Sequence, residues 1–369
     1  MKTIIFFSNP FGYGPTTTLI HIAESLNKRV NGNIKMVVAG KENGLCKEIF
    51  NKSNHSYIKW HDLDERNYEE VKSFLSSFKS PFVVSVLNRF SIKAAHELKL
   101  PNILIDFLAW FWDKPSFEYS LADMYLYNSL GKDLSIPNKI SYDIPIILGS
   151  IPKRIISKKR MILINIGGSK NPLVEGIPIK YLTLLTKIIN KLNFASATVY
   201  IAGGKEATEF IKKNLDFPDR FIVGSFSHEK FLKLHAACHH FITLSGTNAT
   251  FMSFSLGIPT TFLLPQLLAH WKLSFILKKE TNVDPLMWED YFDINKKMYS
   301  LTEYDVVPYT EKLSQKVINN NKIFSKILTK IQDRLDSKIN TSDQTKYIEK
   351  LGVNGEDVVS DLIIKKWRL

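Results

Sequence analysis

The chain has 369 residues, with 49 Lys and Arg against 36 Asp and Glu, giving a formal net charge of +13. That length accommodates two domains with a buried core each, and 44% hydrophobic with 23% charged residues excludes a disordered or collagen-like chain. Only Cys46 and Cys238 occur, far apart, which excludes a disulfide framework and a CxxC metal site. The lysines are dispersed rather than gathered in an Arg-rich block. The densest cluster, KRIISKKR from Lys153 to Arg160, reads as a solvated linker. MKTIIFFSNPFGYG opens with one Lys and a short apolar run, but no A-x-A-like cleavage site follows, and a first strand accounts for it. A reducing, cytoplasmic setting fits this composition, and peripheral attachment to a membrane is compatible with its positive charge.

In chain order, Thr3–Phe7 reads as a buried strand. Leu19, Ile22, Ala23 and Leu26 then recur at helical spacing. Strands follow at Ile34–Ala39, Pro81–Leu87, Asn102–Phe107 and Met124–Tyr127, with helices around Val71–Phe78 and over Ser91–Leu98. After the basic linker the pattern restarts. Met161–Ile166, Thr198–Ala202, Phe221–Gly224, His240–Leu244 and Pro259–Leu264 read as strands. Ile179–Leu192, 205–213, His228–Cys238 and 247–256 read as helices. Strand–helix alternation of this kind predicts parallel βαβ units. The expected fold class is α/β, with two tandem Rossmann-like, doubly wound domains over 1–152 and 153–325. Charged C-terminal helices over 326–369 are expected to pack back on the first domain, the last starting near Gly355.

From Leu234 to Trp271 no Asp, Glu, Lys or Arg occurs. A membrane span needs about 20 mainly apolar residues in succession, and Ser245, Gly246, Thr247, Asn248, Gly257, Pro259 and Pro265 break this run. The remaining readings are a buried core with an ordinary Ser or Thr helix cap, or a cradle for an anion. In an open α/β sheet ligands bind beyond the carboxyl ends of the strands. A helix starting there offers unpaired N–H groups and the positive end of its dipole. Gly246 permits close approach, and Ser245, Thr247 and Thr250 carry hydroxyls. A phosphate can therefore be held without an ionised side chain.

FITLSGTNATFMSFSLGIPTTFLLPQ, Phe241 to Gln266, resembles the donor-binding signature of the two-domain GT-B glycosyltransferases, F-[IV]-T-H-G-G-x-N-S-T…G-[IV]-P…P. Phe241, Ile242, Thr243, Gly246, Asn248, Thr250, Gly257, Pro259 and Pro265 match in order. The Ser-Gly pair is also similar to the muropeptide N-acetylglucosaminyltransferase branch. In VGSFSHEKFLKLHAAC, Phe226 stands where the family has a base-stacking aromatic, and His235 matches a recurrent helix histidine. INIGGS, Ile164–Ser169, resembles the first loop of the nucleotide-sugar domain, SNPFGYGPTTTLIHIAESL the acceptor-domain opening, and GEDVVSDLI the family's last helix. The resemblance is strongest over 220–266 and weak over 30–150. It implies two domains facing a central cleft and a metal-independent, inverting transfer from a nucleotide-diphosphate sugar, of which a UDP-sugar is the leading choice. It implies donor contacts from Gly168, Ser169, Phe226, Ser245, Gly246, Thr247, Asn248, Thr250 and His270, with no cofactor and no metal. The departures are equally specific. The loop Phe11-Gly12-Tyr13-Gly14-Pro15 lacks the catalytic His, and Leu244 replaces a phosphate-binding His. Met252 stands where an acidic residue contacts ribose, and Ala269-His270 where an Asp/Glu-Gln pair holds sugar hydroxyls.

With no His in that loop, the expected general base is Asp106, at the end of an apolar strand where its pKa should rise. Asp113 is the second candidate. A helix cap or a partner for Lys114 is the structural alternative for Asp106. Gly12, Tyr13 and Trp110 are expected to line the acceptor, Trp110 by stacking or else as core. His21, beside the apolar stripe of its helix, is expected to be structural. The acceptor is a small molecule, a lipid-linked group or a peptide, and a homodimer is compatible. Three other functions share these features: a degenerate transferase that activates a partner, a nucleotide-sugar 2-epimerase, and a transferase acting on DNA, which demands steep salt dependence.

Overall fold

A computed structural model describes residues 2–10, 12–30, 34–42, 44–51, 56–136, 138, 140–168, 176–294 and 301–369. The chain forms two compact units, Met1–Ile151 with Leu351–Leu369, and Pro152–Lys350. The first contains β1 (Lys2–Ser8), α1 (Gly14–Arg29), β2 (Ile34–Gly40), α2 (Leu45–Asn51), β3 (Ile58–Asp62), α3 (Tyr68–Ser76) and β4 (Phe82–Val86). It continues with α4 (Arg89–Glu97), β5 (Asn102–Asp106), 3-10 turns at Ala109–Phe111 and Phe117–Leu121, β6 (Tyr125–Tyr127) and β7 (Ser141–Asp143). These strands form one parallel seven-stranded sheet in the order β3-β2-β1-β4-β5-β6-β7.

The continuous apolar run of β1 follows from burial on both faces. Ile4 and Phe6 face a core that includes Leu19, Ile22 and Leu26 of α1, while Ile5 and Phe7 face Val71, Leu75 and Ala94 on α3 and α4. Neither β3 nor β7 was expected from the sequence. Each is an edge strand with little buried surface, burying in β3 only Ile58 of its five residues, so the alternation that marks a half-buried strand is missing. Asn67 and Asn88 end the preceding loops by capping α3 and α4.

The second unit holds β8 (Met161–Asn165), α5 (Ile179–Lys191), β9 (Thr198–Ala202), α6 (Lys205–Asn214), β10 (Phe221–Gly224), α7 (His228–Ala237), β11 (His240–Thr243), α8 (Thr247–Ser255) and β12 (Thr260–Phe262). After these come α9 (Leu268–Thr281), α10 (Glu303–Ile318), α11 (Asn321–Asp336) and α12 (Ser342–Leu351). Its five parallel strands run β10-β9-β8-β11-β12. The strand order therefore reverses between β8 and β11.

The segment expected as 326–369 divides. Ile327, Ile331 and Leu335 of α11 lie in the second unit's core, so α11 and α12 remain there. Only α13 (Gly355–Trp367) packs on α1 in the first unit. Ser25 Oγ donates to Asp357 at 2.7 Å, and Arg29 pairs with Asp357 at 3.0 Å and Asp361 at 3.1 Å. Val359, Ile363 and Trp367 supply the buried face of α13. No helix among the described residues is long and apolar enough to cross a membrane.

Candidate functional site

The second unit's sheet creates its own crevice at the β8/β11 reversal, where adjacent strands send their following helices to opposite faces. Asn165, at the end of β8, ties the two strands together through Nδ2 to Thr243 Oγ1 at 3.3 Å. Its Oδ1 accepts Gly167 N at 3.1 Å, turning the chain into a loop that needs a left-handed residue, Gly167 at φ +66. Gly204 N donates to Gly167 O at 3.0 Å. A Cβ on Gly203 would meet Ile166 Cγ1 at 2.4 Å, so the two glycine turns pack without room for a side chain. Gly168 is half-buried beside Gly167, and Ser169 lies outside the described residues.

Facing this loop, β11 passes through Leu244 and Ser245 into α8, whose N-cap is Gly246 with φ −83. No side chain caps this end, and its first turn contains no acidic residue. By contrast, Ser227 caps α7, and Glu311 accepts from Lys180 N and Tyr181 N at the start of α5. An uncapped first turn leaves N–H donors and the helix dipole for a ligand. Thr247 and Asn248 are half-buried in that turn. Thr250 is fully buried with Oγ1 unpartnered.

One expected hydroxyl points elsewhere. Ser245 is buried, and its Oγ shares a 2.6 Å hydrogen bond with Ser274 Oγ, anchoring β11 to α9 rather than facing a ligand. That bond ties α9 to the residue just before the α8 N-cap. His270 Nε2 lies 4.0 Å from where a Gly246 Cβ would stand, and His270 Nδ1 is enclosed without a partner. Burial pushes the imidazole pKa down to about 4, so the ring is neutral near pH 7. Phe226, beyond β10, is half-buried, edge-on to Tyr200 at 6.3 Å, with Lys230 Nζ 4.7 Å from its ring centroid. His235 is structural: its Nε2 bonds Ser253 Oγ at 2.7 Å and its ring packs on Phe241.

In the first unit the expected residues gather at the carboxyl ends of β1 and β5. Gly12 adopts φ +69 in an open loop, and Tyr13 OH donates to Glu48 Oε1 at 3.2 Å. Phe107 closes on this loop: its ring would be 3.4 Å from a Cβ on Gly14. Asp106 is wholly buried. It accepts from Tyr125 OH at 2.6 Å, Leu108 N at 2.9 Å and Trp112 Nε1 at 3.4 Å, and burial pushes its pKa up to about 6. The pKa rises as expected, but the enclosed carboxylate serves the turn that follows β5. Trp110 is buried and donates to Phe107 O at 3.1 Å, which makes it core. Trp112 is the half-exposed indole of that turn, and Asp113 beside it is exposed. Tyr125 and Ser274 were not foreseen, since each reaches its partner through the fold, while Lys230 is a near neighbour of Phe226 in sequence.

Among the described residues no group of three or more His, Cys, Asp or Glu could hold a metal ion. No protein-family model matches the chain, and comparison with curated proteins returns no match. Solved structures do match over full length. MurG of Acinetobacter baumannii is 13% identical with a TM-score of 0.56, covering 99% of this chain and 100% of its own. Arabidopsis thaliana UGT89C1, complexed with UDP, is 10% identical with a TM-score of 0.61 and complete coverage of both chains. A UDP-glucosyltransferase from Polygonum tinctorium is 13% identical with a TM-score of 0.52, covering 91% and 99%. The chain thus has the GT-B fold, two tandem Rossmann-like domains.

Proposed function

We propose that the protein is a glycosyltransferase that moves a sugar from a nucleotide-diphosphate donor, a UDP-sugar being the leading choice, to an acceptor hydroxyl. The observation that carries this reading is the uncapped start of α8 at the β8/β11 reversal, with Thr250 Oγ1 buried and unpartnered behind it. A structure similar in fold was solved with UDP. Phe226 is the platform for the base, and the Gly167–Gly168 loop with Thr247 and Asn248 holds the diphosphate.

In the reaction the sugar C1–O bond breaks, its electron pair stays on the diphosphate, the acceptor oxygen bonds to C1, and the hydroxyl proton passes to a base. Prearranged neutral donors stabilise the charge growing on the leaving group. A metal ion is not needed for that role. In the first unit, Asp106 fixes the Phe107–Trp112 turn as a positioning residue. Asp113, exposed at the end of that turn, is the carboxylate able to take the proton. Titrating the full chain with UDP, GDP and dTDP, then assaying the matching nucleotide-sugars with and without mixed acceptors, tests the proposal. Saturable binding and acceptor-dependent release of diphosphate support it; release without acceptor makes the protein an epimerase or hydrolase; binding of none of the three nucleotides refutes the donor site.

A further inference from the structure

Between Phe241 and Trp271, His270 is the one side chain able to carry charge. It sits in the first turn of α9, a helix that the Ser245–Ser274 bond ties to the residue before the α8 N-cap, and directs Nε2 at that N-cap, Gly246. Its Nδ1 is enclosed with no partner. A buried imidazole nitrogen without a hydrogen bond is costly. His235 also leaves its Nδ1 unpartnered, but Nε2 of His235 and of His240 is held by Ser253 and Thr261, whereas among the described residues His270 has no hydrogen bond at either ring nitrogen. A neutral imidazole carries one N–H. With Nδ1 facing no acceptor, the proton belongs on Nε2, toward the corner.

The order of strands gives this donor a specific target. Along the carboxyl edge, Phe226 follows β10, Gly167–Gly168 follows β8, Gly246 follows β11, and His270 follows β12. Three strand spacings separate β10 from β11, about 14 Å. A nucleotide with its base at Phe226 would therefore meet the glycine loop with its nearer phosphate and the α8/α9 corner with the farther one. We infer that His270 is the recognition residue for the distal, sugar-bearing phosphate, donating Nε2–H to a non-bridging oxygen beside Gly246. In this chain the imidazole comes from α9, while the end of β11 carries the apolar Leu244, packed 3.7 Å from the Cβ position of Gly167. This rests on the donor reading above.

The test is calorimetric titration of the full chain and of His270→Phe, His270→Ala and His270→Gln with UDP and UMP. A hydrogen bond to a charged group contributes about 1.5–3 kcal/mol, so UDP affinity should fall at least about tenfold in His270→Phe and His270→Ala. UMP affinity should stay within about twofold, and His270→Gln, which keeps a donor, should recover most of the UDP affinity. Alanine covers the case in which the larger ring upsets folding. Equal losses for UDP and UMP, or unchanged UDP binding in both variants, overturns the assignment of His270 while leaving the donor site standing. Failure of the unaltered protein to bind UDP, GDP or dTDP overturns the donor site itself.

Discussion

Asp106→Asn separates the effect of charge from that of packing in the first unit. The carboxylate is wholly buried, receives Tyr125, Leu108 and Trp112 as neutral donors, and keeps its proton up to about 6. An unfolded chain releases that proton near the ordinary value of 3.8. Between these two values the folded protein binds more protons than the unfolded one, so this group's contribution to stability falls as pH rises. At 1.36 kcal/mol per tenfold the full loss is about 3 kcal/mol, of which about 2.5 kcal/mol falls between pH 4 and pH 8. Asparagine has the same shape and does not titrate. Its Oδ1 can accept Leu108 N–H and Trp112 Nε1–H, while its amide donates to Tyr125. Any fixed cost of the exchange is common to all pH values and cancels in the comparison. Urea unfolding of both proteins from pH 4 to pH 8 should show Asp106→Asn gaining about 2–3 kcal/mol relative to wild type as pH rises, levelling off above about pH 6.5. A difference that stays flat across this range refutes the argument that burial governs this carboxyl.

Four further outcomes are expected. Asp113→Asn should lower turnover by about 10²–10⁴ while leaving UDP affinity unchanged; a loss of donor binding instead would remove Asp113 from the role of base. Gly246→Val should abolish UDP binding by filling the start of α8, with a melting temperature within a few degrees of wild type, since Gly246 has an ordinary φ of −83 and only His270 within 4.0 Å of the added Cβ. His235 is neutral because burial pushes its pKa down to about 3. Its contribution is present above about pH 6.5 and lost as pH falls toward 3, so His235→Gln should flatten the acid limb of the stability curve, and an unchanged limb would contradict this. Gly149→Ala should cost at least about 1–3 kcal/mol, read by urea unfolding, because φ is +69 and the Cβ would stand 2.2 Å from His21 Nδ1.

Much of this was visible in the sequence where local chemistry and fold agree. The apolar runs at Ile4–Phe7, Ile162–Ile164 and Phe241–Thr243 are legible because a parallel strand buried on both faces needs such a run. The turn at Gly246 is legible because Ser-Gly-Thr-Asn after a buried strand is a helix start. What could not be read is where side chains point. Ser245 looks like a ligand hydroxyl until Ser274, 29 residues on, takes it. Asp106 looks like a base until Tyr125 and Trp112 close over it. The edge strands β3 and β7 bury too little to leave a pattern, and the second unit extends past 325 because α11 turns Ile327, Ile331 and Leu335 into its core, with Ile323, Phe324 and Leu328 beside them.

The proposed function depends most on α8 receiving a diphosphate, and a crystal structure of the protein soaked with UDP measures this directly. The prediction is phosphate oxygens within hydrogen-bond distance of the Thr247 and Asn248 N–H groups, with uracil against Phe226. A nucleotide bound away from the β8/β11 reversal, or a first turn of α8 closed by protein side chains, would contradict it.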